Sequence, residues 1–212
     1  MRAVILANGH LPDPEAARRH IQAADRLICA DGGTQHAIQL GLVPDVVVGD
    51  LDSIDAPTRA RLEAAGVRLV AHPARKDKTD LELALGLAVA EGAAQVDLLA
   101  TLGGRLDQSL ANLLLLAQPE WATVSVRVIE GRETAWVVRG GQTARLAGNA
   151  GDTLSLVPLT PKVSGVNLTG VEWPLVDATL QLGSTWTISN ALAERVARLE
   201  VAEGLVLVVL CS

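Results

Sequence analysis

The chain has 212 residues, enough for one large domain or two small ones. Hydrophobic residues make up 49% and aromatics only 2%, with no Phe or Tyr, so the core must be aliphatic and the four Trp residues stand out. With a net charge of −6 and no Lys/Arg cluster, nucleic acid is not expected as a partner; the apolar run Leu110–Ala117 is too short to span a bilayer, so no membrane is expected either.

Arg2–Ala7 is apolar and runs into Asn8-Gly9, the pattern of a strand followed by a tight turn. It is too short for a secretory leader. A helix is predicted over Asp13–Ala24, with Pro14 in its first turn after an Asp cap. Arg26–Ala30 is a second buried strand and ends in Asp31-Gly32-Gly33. Two glycines before the helix Thr34–Leu40 leave bare backbone N–H groups at a helix start, which suits an anion or phosphate and equally a plain βα turn. Cys29 in this strand and Cys211 form no Cys-x-x-Cys pattern, so no disulfide framework or zinc motif is expected, and a reducing cytoplasm fits.

Val46-Val47-Val48 reads as a parallel strand buried on both faces, ending in Gly49-Asp50-Leu51-Asp52-Ser53. Asp50 and Asp52 then sit at the carboxyl end of a central strand, where open α/β sheets bind ligands. Two carboxylates about 5 Å apart repel by roughly 3 kcal/mol at an effective dielectric near 20. A hard cation with oxygen ligands, Mg²⁺ above all, would neutralise them. The alternative is an Asx turn that caps the next helix.

That helix is expected at Ala56–Ala65, with Pro57 in its first turn and Gly66 as its stop; Val67–Ala71 is a fourth strand. A charged loop, Ala74 to Lys78, leads into a helix over Thr79–Glu91, with Leu81, Leu85 and Ala88 facing the sheet. Asp80 and Glu82 fall in its first turn, where they complement the helix dipole. Lys76 and Lys78 are either solvated or placed to hold polyphosphate. Gln95–Ala100 is a fifth strand and runs into Thr101-Leu102-Gly103-Gly104-Arg105-Leu106-Asp107-Gln108. Arg105 either forks onto a phosphate or makes a surface salt bridge. Asp107 joins the metal or caps a helix expected at Ser109–Ala117, in which Asn112 interrupts a leucine-rich surface. Five strands alternating with helices argue for a parallel α/β sheet. Three of the five strand ends carry Asp with adjacent Gly.

The texture changes after Trp121. Short strand-like runs follow at Val124–Glu130, Ala135–Val138, Gln142–Leu146, Thr153–Val157, Val163–Leu168, Val171–Trp173, Thr185–Ser189 and Leu205–Leu210, punctuated by glycines. They suggest an antiparallel sandwich or barrel. Val124–Glu130 fits either sheet, and Asn190–Arg198 is left open. The expected division is an α/β domain over 1–130 and an all-β domain over 131–212.

Taken in order, these stretches resemble the thiamine pyrophosphokinase (thiamine diphosphokinase) family. The resemblance rests on Ala30-Asp31-Gly32-Gly33, Gly49-Asp50-Leu51-Asp52-Ser53, Lys76-Asp77-Lys78-Thr79-Asp80-Leu81-Glu82 and Gly103-Gly104-Arg105-Leu106-Asp107-Gln108. Ser155-Leu156-Val157-Pro158-Leu159, Gly170-Val171-Glu172-Trp173-Pro174-Leu175 and Ser189-Asn190 extend it through the second half. It implies a homodimer that moves the diphosphoryl group of ATP to the hydroxyethyl of thiamine and releases AMP. It implies Mg²⁺ on Asp50, Asp52 and Asp80, and these carboxylates with Asp107 as the catalytic set. ATP would lie on Asn8, Gly9, Asp31, Gly32, Gly33, Gly103, Gly104, Arg105 and Gln108, with Lys76 and Lys78 near its phosphates. The second domain would bind thiamine and form the dimer, completing the active site across the interface.

Two departures bear on mechanism. Bacterial members of the family commonly have His where this chain has Gln108, which hydrogen-bonds but does not titrate. A Gly-x-Ser-x-Gly-x-Ser-Asn stretch reads Gly183-Ser184-Thr185-Trp186-Thr187-Ile188-Ser189-Asn190 here. Thiamine is a cation with two flat rings, so an aromatic face and nearby polar groups should recognise it. Trp186, Ser189 and Asn190 are the candidates. Trp186 either stacks on thiamine or fills the β-domain core or dimer contact, and Trp173 before Pro174 reads as structural. Two other functions fit parts of the pattern: a non-catalytic nucleotide or thiamine sensor, and a metal-dependent sugar-nucleotide transferase, since Asp-x-Asp also suits a nucleotide diphosphate with its metal.

Overall fold

Six strands, β1 (Arg2–Leu6), β2 (Arg26–Ala30), β3 (Val46–Gly49), β4 (Arg68–Ala71), β5 (Gln95–Leu99) and β6 (Ser125–Glu130), alternate with helices in the first half of the chain. The helices are α1 (Pro14–Gln22), α2 (Gly33–Gln39), α3 (Ala56–Ala64), α4 (Asp80–Ala90) and α5 (Leu106–Leu115). The computed structural model describes residues 1–212, which divide into two units, Met1–Gly131 and Arg132–Ser212.

In the first unit the strand order is β6-β5-β1-β2-β3-β4, with every neighbouring pair parallel. Alternation along each strand divides the side chains between two faces. Val4, Leu6, Leu27, Cys29 and Val47 enter one core with Ala17 and Ile21 of α1, Ala37 of α2 and Leu62 of α3. Ile5, Ile28, Val46 and Val48 alternate with them and are fully buried; α4, with Leu81, Ala84, Leu85 and Ala88 buried, packs on β1, β2 and β3. Burial on both faces is why these strands read as unbroken apolar runs. The helix starts follow the sequence signals. Asp13, Asp55 and Thr79 accept hydrogen bonds from Ala16, Thr58 and Glu82 backbone N–H groups at 2.9, 2.8 and 3.2 Å. Val124–Glu130 resolves into β6, which joins the parallel sheet beside β5. Helix α5 begins at Leu106, three residues ahead of the expected Ser109, so Asp107 lies within its first turn.

Asp97, buried in the middle of β5, is ringed by Arg2 at 3.0 Å, His20 at 2.9 Å and Arg127 at 2.7 Å. Burial alone would raise its pKa, but the bonds from His20, Arg127 and Arg2 prevail and hold it at about 2.

The second unit holds two four-stranded antiparallel arrays. One runs β12 (Asn190–Ala191), β9 (Thr153–Pro158), β14 (Leu205–Cys211), β7 (Glu133–Arg139). The other runs β11 (Leu175–Gln181), β10 (Lys162–Thr169), β13 (Val196–Val201), β8 (Gln142–Ala147). Leu154 and Leu156 of β9 and Val206, Val208 and Leu210 of β14 share a core with Val166 and Leu168 of β10 and Leu199 of β13. That is the aliphatic sandwich the composition requires. No helix is long and apolar enough to cross a membrane.

Two strand expectations change, and the open segment resolves. Val171–Trp173 is a bend with a single bridge, Val171 to Leu192, because Pro174 offers no N–H to a ladder. The strand lies beyond it as β11, hidden in sequence because Asp177 adopts a left-handed φ of 45° and the pairing with β10 shifts register. Thr185–Ser189 is a turn closed by Ile188 N–H to Thr185 C=O at 3.2 Å, with Ser189 at a left-handed φ of 60°. Part of Asn190–Arg198 becomes the short β12 and the start of β13.

Candidate active site

The strand order fixes where a ligand can bind. Connections from β1 run toward β4 and connections after β5 run the other way, so the order reverses between β1 and β5. The carboxyl ends of these two strands flank the crevice that open α/β sheets use for ligands. The two loops that leave them continue the ladder. Ala7, Gly9 and His10 N–H groups donate to Leu99, Ala100 and Leu102 carbonyls at 2.9, 2.6 and 2.7 Å. This approach demands glycine: a Cβ on Gly9 would lie 2.3 Å from the Leu102 carbonyl oxygen. The same holds at the next strand end, where a Cβ on Gly33 would lie 1.9 Å from the Leu6 carbonyl oxygen.

A cleft of about 750 Å³ opens there, and it includes most of the residues expected to hold a nucleotide. Asn8, Gly9, Asp31, Gly32, Gly103, Gly104, Arg105, Asp107 and Gln108 line it, with Asp80 from the start of α4. Gly33 is buried behind this wall and Lys76 is half-buried beside it. Lys78 pairs instead with Glu82 at 3.1 Å and reaches toward Glu120 at 3.9 Å. Thr79 and Thr101 line the cleft too, together with Asn112, the residue that interrupts the leucine-rich surface. Asn112 Nδ2 donates to the Thr101 carbonyl at 2.7 Å, which accounts for an amide on a leucine-rich helix.

Asp31, Asp50 and Asp52 form the compact carboxylate cluster, each with an oxygen within 4.8 Å of the others. The expected partner of Asp50 and Asp52 was Asp80. Asp80 stands beside them: it forms an ion pair with Lys76 at 2.9 Å, and the same ammonium lies 3.8 Å from Asp50. Asp31 joins Asp50 and Asp52 in the compact group because its left-handed φ of 40° turns the chain at the end of β2, and Ser53 Oγ donates to it at 2.9 Å. Leu51, between the other two carboxylates, is also left-handed at φ 63°. Backbone strain of this kind collects at functional sites. The Asp52 N–H donates to Asp50 Oδ1 at 3.3 Å; this bond, with the Lys76 charge, holds the Asp50 pKa below its ordinary value. The Asp50 carboxylate beside it raises that of Asp52. Three carboxylates offering only oxygen donors match a hard divalent cation.

Arg105 is paired with Asp107 at 2.5 Å, both exposed, so in this state it makes the salt bridge expected as its alternative reading. Asp107 also accepts from the Gln108 N–H at 2.9 Å, and together these bonds lower its pKa. One carboxylate escaped the sequence reading altogether. Glu130 ends β6 and accepts from the N–H groups of Thr101 and Leu102. Its only signal was a charge closing an apolar strand.

In the second unit, Trp186 is 63% exposed and Trp173 57% exposed, so neither fills the sandwich core. Ser189 is exposed, and its N–H donates to Ser155 Oγ at 3.0 Å. Asn190 is buried, and its side chain clamps the backbone of Trp173: Oδ1 accepts from its N–H at 3.1 Å and Nδ2 donates to its carbonyl at 2.8 Å. Trp186 and Ser189 therefore face outward while Asn190 faces inward.

Comparison with known proteins places this arrangement. A family model described as "Thiamin pyrophosphokinase, catalytic domain" matches residues 17–128, and one described as "Thiamin pyrophosphokinase, vitamin B1 binding domain" matches residues 143–206. A thiamine pyrophosphokinase of Bacillus subtilis is 30% identical over 182 residues, covering 86% of this chain and 85% of that protein. The crystal structure of thiamine pyrophosphokinase from Bacillus subtilis superposes with a TM-score of 0.86 at 26% identity, covering 100% of this chain and 99% of the other. Thiamin pyrophosphokinase from Candida albicans shares the fold, with a TM-score of 0.81 at 16% identity over 100% and 89% of the two chains.

Proposed function

The chain belongs to the thiamin pyrophosphokinase family, and from that premise we propose how its own residues carry the reaction. The chain is an enzyme of thiamine diphosphate formation. The hydroxyl oxygen of thiamine attacks the β-phosphorus of ATP, the bond between the α- and β-phosphoryl groups breaks, AMP leaves and the hydroxyl proton is released.

The observation that carries the site assignment is the cleft at the strand reversal, where two glycine turns and a carboxylate cluster meet. ATP lies on Asn8, Gly9, Gly32, Gly103 and Gly104, whose bare backbone approaches the phosphates closely. Arg105 exchanges Asp107 for a phosphate when the nucleotide binds. Asp50 and Asp52, with Asp31 and Asp80 beside them, would hold Mg²⁺, which would neutralise charge on the phosphoryl oxygens. Lys76, held between Asp50 and Asp80, keeps a fourth carboxylate beside the phosphates without adding net repulsion. Gln108 orients by hydrogen bonds and moves no proton.

Thiamine is recognised by the exposed face of Trp186 with Ser189, while Asn190 shapes that surface from behind. The chain acts as a homodimer in which this surface serves the partner's cleft, and it works in the cytoplasm, where Cys29 and Cys211 stay reduced.

The test is an incubation with thiamine, ATP and Mg²⁺, with products separated chromatographically. AMP and thiamine diphosphate in equal amounts are expected. A nucleoside diphosphate would instead indicate a transferase, and nucleotide binding without turnover a sensor.

A further inference from the structure

The cleft depends on a lip, Ala100–Arg105, that leaves β5 through a left-handed residue, Ala100 at φ 53°. Past that turn the backbone no longer runs in a strand, and its polar groups need other partners. The carbonyls of Ala100, Thr101 and Leu102 accept from the Gly9 N–H at 2.6 Å, Asn112 Nδ2 at 2.7 Å and the His10 N–H at 2.7 Å. The N–H groups are held from the opposite side by one atom. Glu130 Oε1 accepts from the N–H groups of Thr101 at 2.7 Å and Leu102 at 3.0 Å and from the Thr101 hydroxyl at 3.2 Å. Glu130 stands where it can do this because β6 pairs with β5 in parallel register, Ile129 opposite Leu99, one residue short of the turn.

We propose that Glu130 is a positioning residue for the nucleotide: its Oε1 replaces the missing backbone acceptors and sets the lip so that Gly103, Gly104 and Arg105 meet the phosphates. The inference rests on the assignment of ATP to this cleft. The lip has little freedom once Glu130 holds it. Gly103 follows directly at φ 89°, with a Cβ there 2.6 Å from Cγ of the His10 ring. Burial raises the Glu130 pKa and outweighs the opposing pull of the Thr101 and Leu102 N–H groups.

The three bonds converge on one oxygen, so what the lip needs is an acceptor at the right reach rather than a charge. Two substitutions separate these. Glu130→Gln keeps a carbonyl oxygen at the same reach and drops the charge. Glu130→Asp keeps the charge and withdraws the oxygen by one methylene, about 1.5 Å. Affinity for a non-hydrolysable ATP analogue with Mg²⁺, measured by calorimetry, should stay within about threefold of wild type in Glu130→Gln and fall at least about tenfold in Glu130→Asp. Thiamine affinity should stay level in both. Amide exchange at Thr101 and Leu102, followed by NMR, should quicken only in Glu130→Asp. Loss in Glu130→Gln equal to or beyond that in Glu130→Asp, or no loss in either, would overturn the proposal. If Glu130→Asp does not fold, exchange in Glu130→Gln decides: protection kept supports the acceptor role, and protection lost overturns it. A wild-type protein that fails to bind the analogue would overturn the cleft assignment itself, a separate outcome from wild-type binding with indifferent variants.

Discussion

The two units organise their polar residues in opposite ways. In the first, the candidate site residues stand at the ends of parallel strands, on loops whose backbone is bonded to neighbouring loops. Asp31, Asp50 and the Gly103-Gly104 turn are carried there by β2, β3 and β5, whichever rotamers they adopt. In the second, the polar and aromatic candidates lie in bends between antiparallel strands, and the turn type alone decides which way each points. Trp186 and Ser189 turn outward while Asn190, the next residue after Ser189, turns inward. A parallel sheet gathers a site by topology; a sandwich leaves it to local backbone geometry.

The largest effect should come from the carboxylate cluster. Asp52→Asn keeps the size and removes one of three anionic donors. Mg²⁺-dependent turnover should fall at least about a hundredfold, the scale of losing preorganised charge stabilisation. Full Mg²⁺-dependent activity in that variant would remove the metal assignment. It would also remove the claim that strand ends in the first unit specify the chemistry.

Arg105→Ala should come next. Its side chain is exposed and bound only to Asp107, so folding should be untouched. Loss of a charge-assisted contact should weaken ATP by about tenfold or more and leave thiamine affinity nearly level. Equal loss for both ligands would show that the variant harms the fold rather than the nucleotide contact.

Much of the first unit was legible because its signals are redundant. Buried runs, Asp and Pro helix starts and paired glycines all marked the same boundaries, and its six strands lie within a residue of expectation. The membership of the carboxylate cluster was less legible. Asp31 and Asp80 are both carboxylates near a strand end or helix start. A left-handed φ at Asp31, which leaves no spacing in the sequence, brings it to Asp50 and Asp52, and a lysine four residues before Asp80 pairs with that side chain. In the second unit, β11 was obscured by Pro174 before it and Asp177 within it, and the Thr185–Ser189 run imitated a strand by alternation alone. Glu130 was invisible for a related reason: a single acceptor for two amides leaves no spacing in sequence.

A buried charge without a role in the chemistry sharpens the contrast further. Asp97 lies within β5 rather than at its end, and its pKa is depressed from 3.8 to about 2 by Arg2, His20 and Arg127. A depressed carboxylate stabilises the fold above its unfolded pKa and loses that contribution as pH falls toward its folded one. About 2 kcal/mol of stability should therefore disappear between about pH 4 and pH 2, and Asp97→Asn should flatten that part of a denaturant-midpoint profile. An unchanged profile in Asp97→Asn would assign the acid sensitivity elsewhere.

Asn190→Ala tests the second unit from the inside. It leaves the Trp173 N–H and carbonyl without the partners that Asn190 supplies. An unmatched buried polar group costs about 1–3 kcal/mol, so the melting temperature should fall by several degrees. Thiamine affinity should fall only through the altered bend. A large loss of thiamine affinity at unchanged stability would make Asn190 a direct ligand and erase the difference between it and Ser189.

The smallest structural effect, and the finest test of the comparison, belongs to Trp186. Its ring is 63% exposed, so Trp186→Leu should change stability by no more than about 0.5 kcal/mol. Trp121 is buried and Trp136 is partly buried against the sandwich core, so a ligand outside should act chiefly on Trp173 and Trp186. Thiamine should quench tryptophan emission in the wild type, and most of that quenching should disappear in Trp186→Leu together with a loss of thiamine affinity of about threefold to tenfold, the range of an aromatic contact to a cation. Trp173→Leu should keep both the quenching and the affinity, since its backbone rather than its ring is what Asn190 holds. The reverse pattern would transfer the stacking role to Trp173. It would mean that the bend clamped by Asn190, rather than the left-handed turn ending at Ser189, presents the aromatic face of this unit.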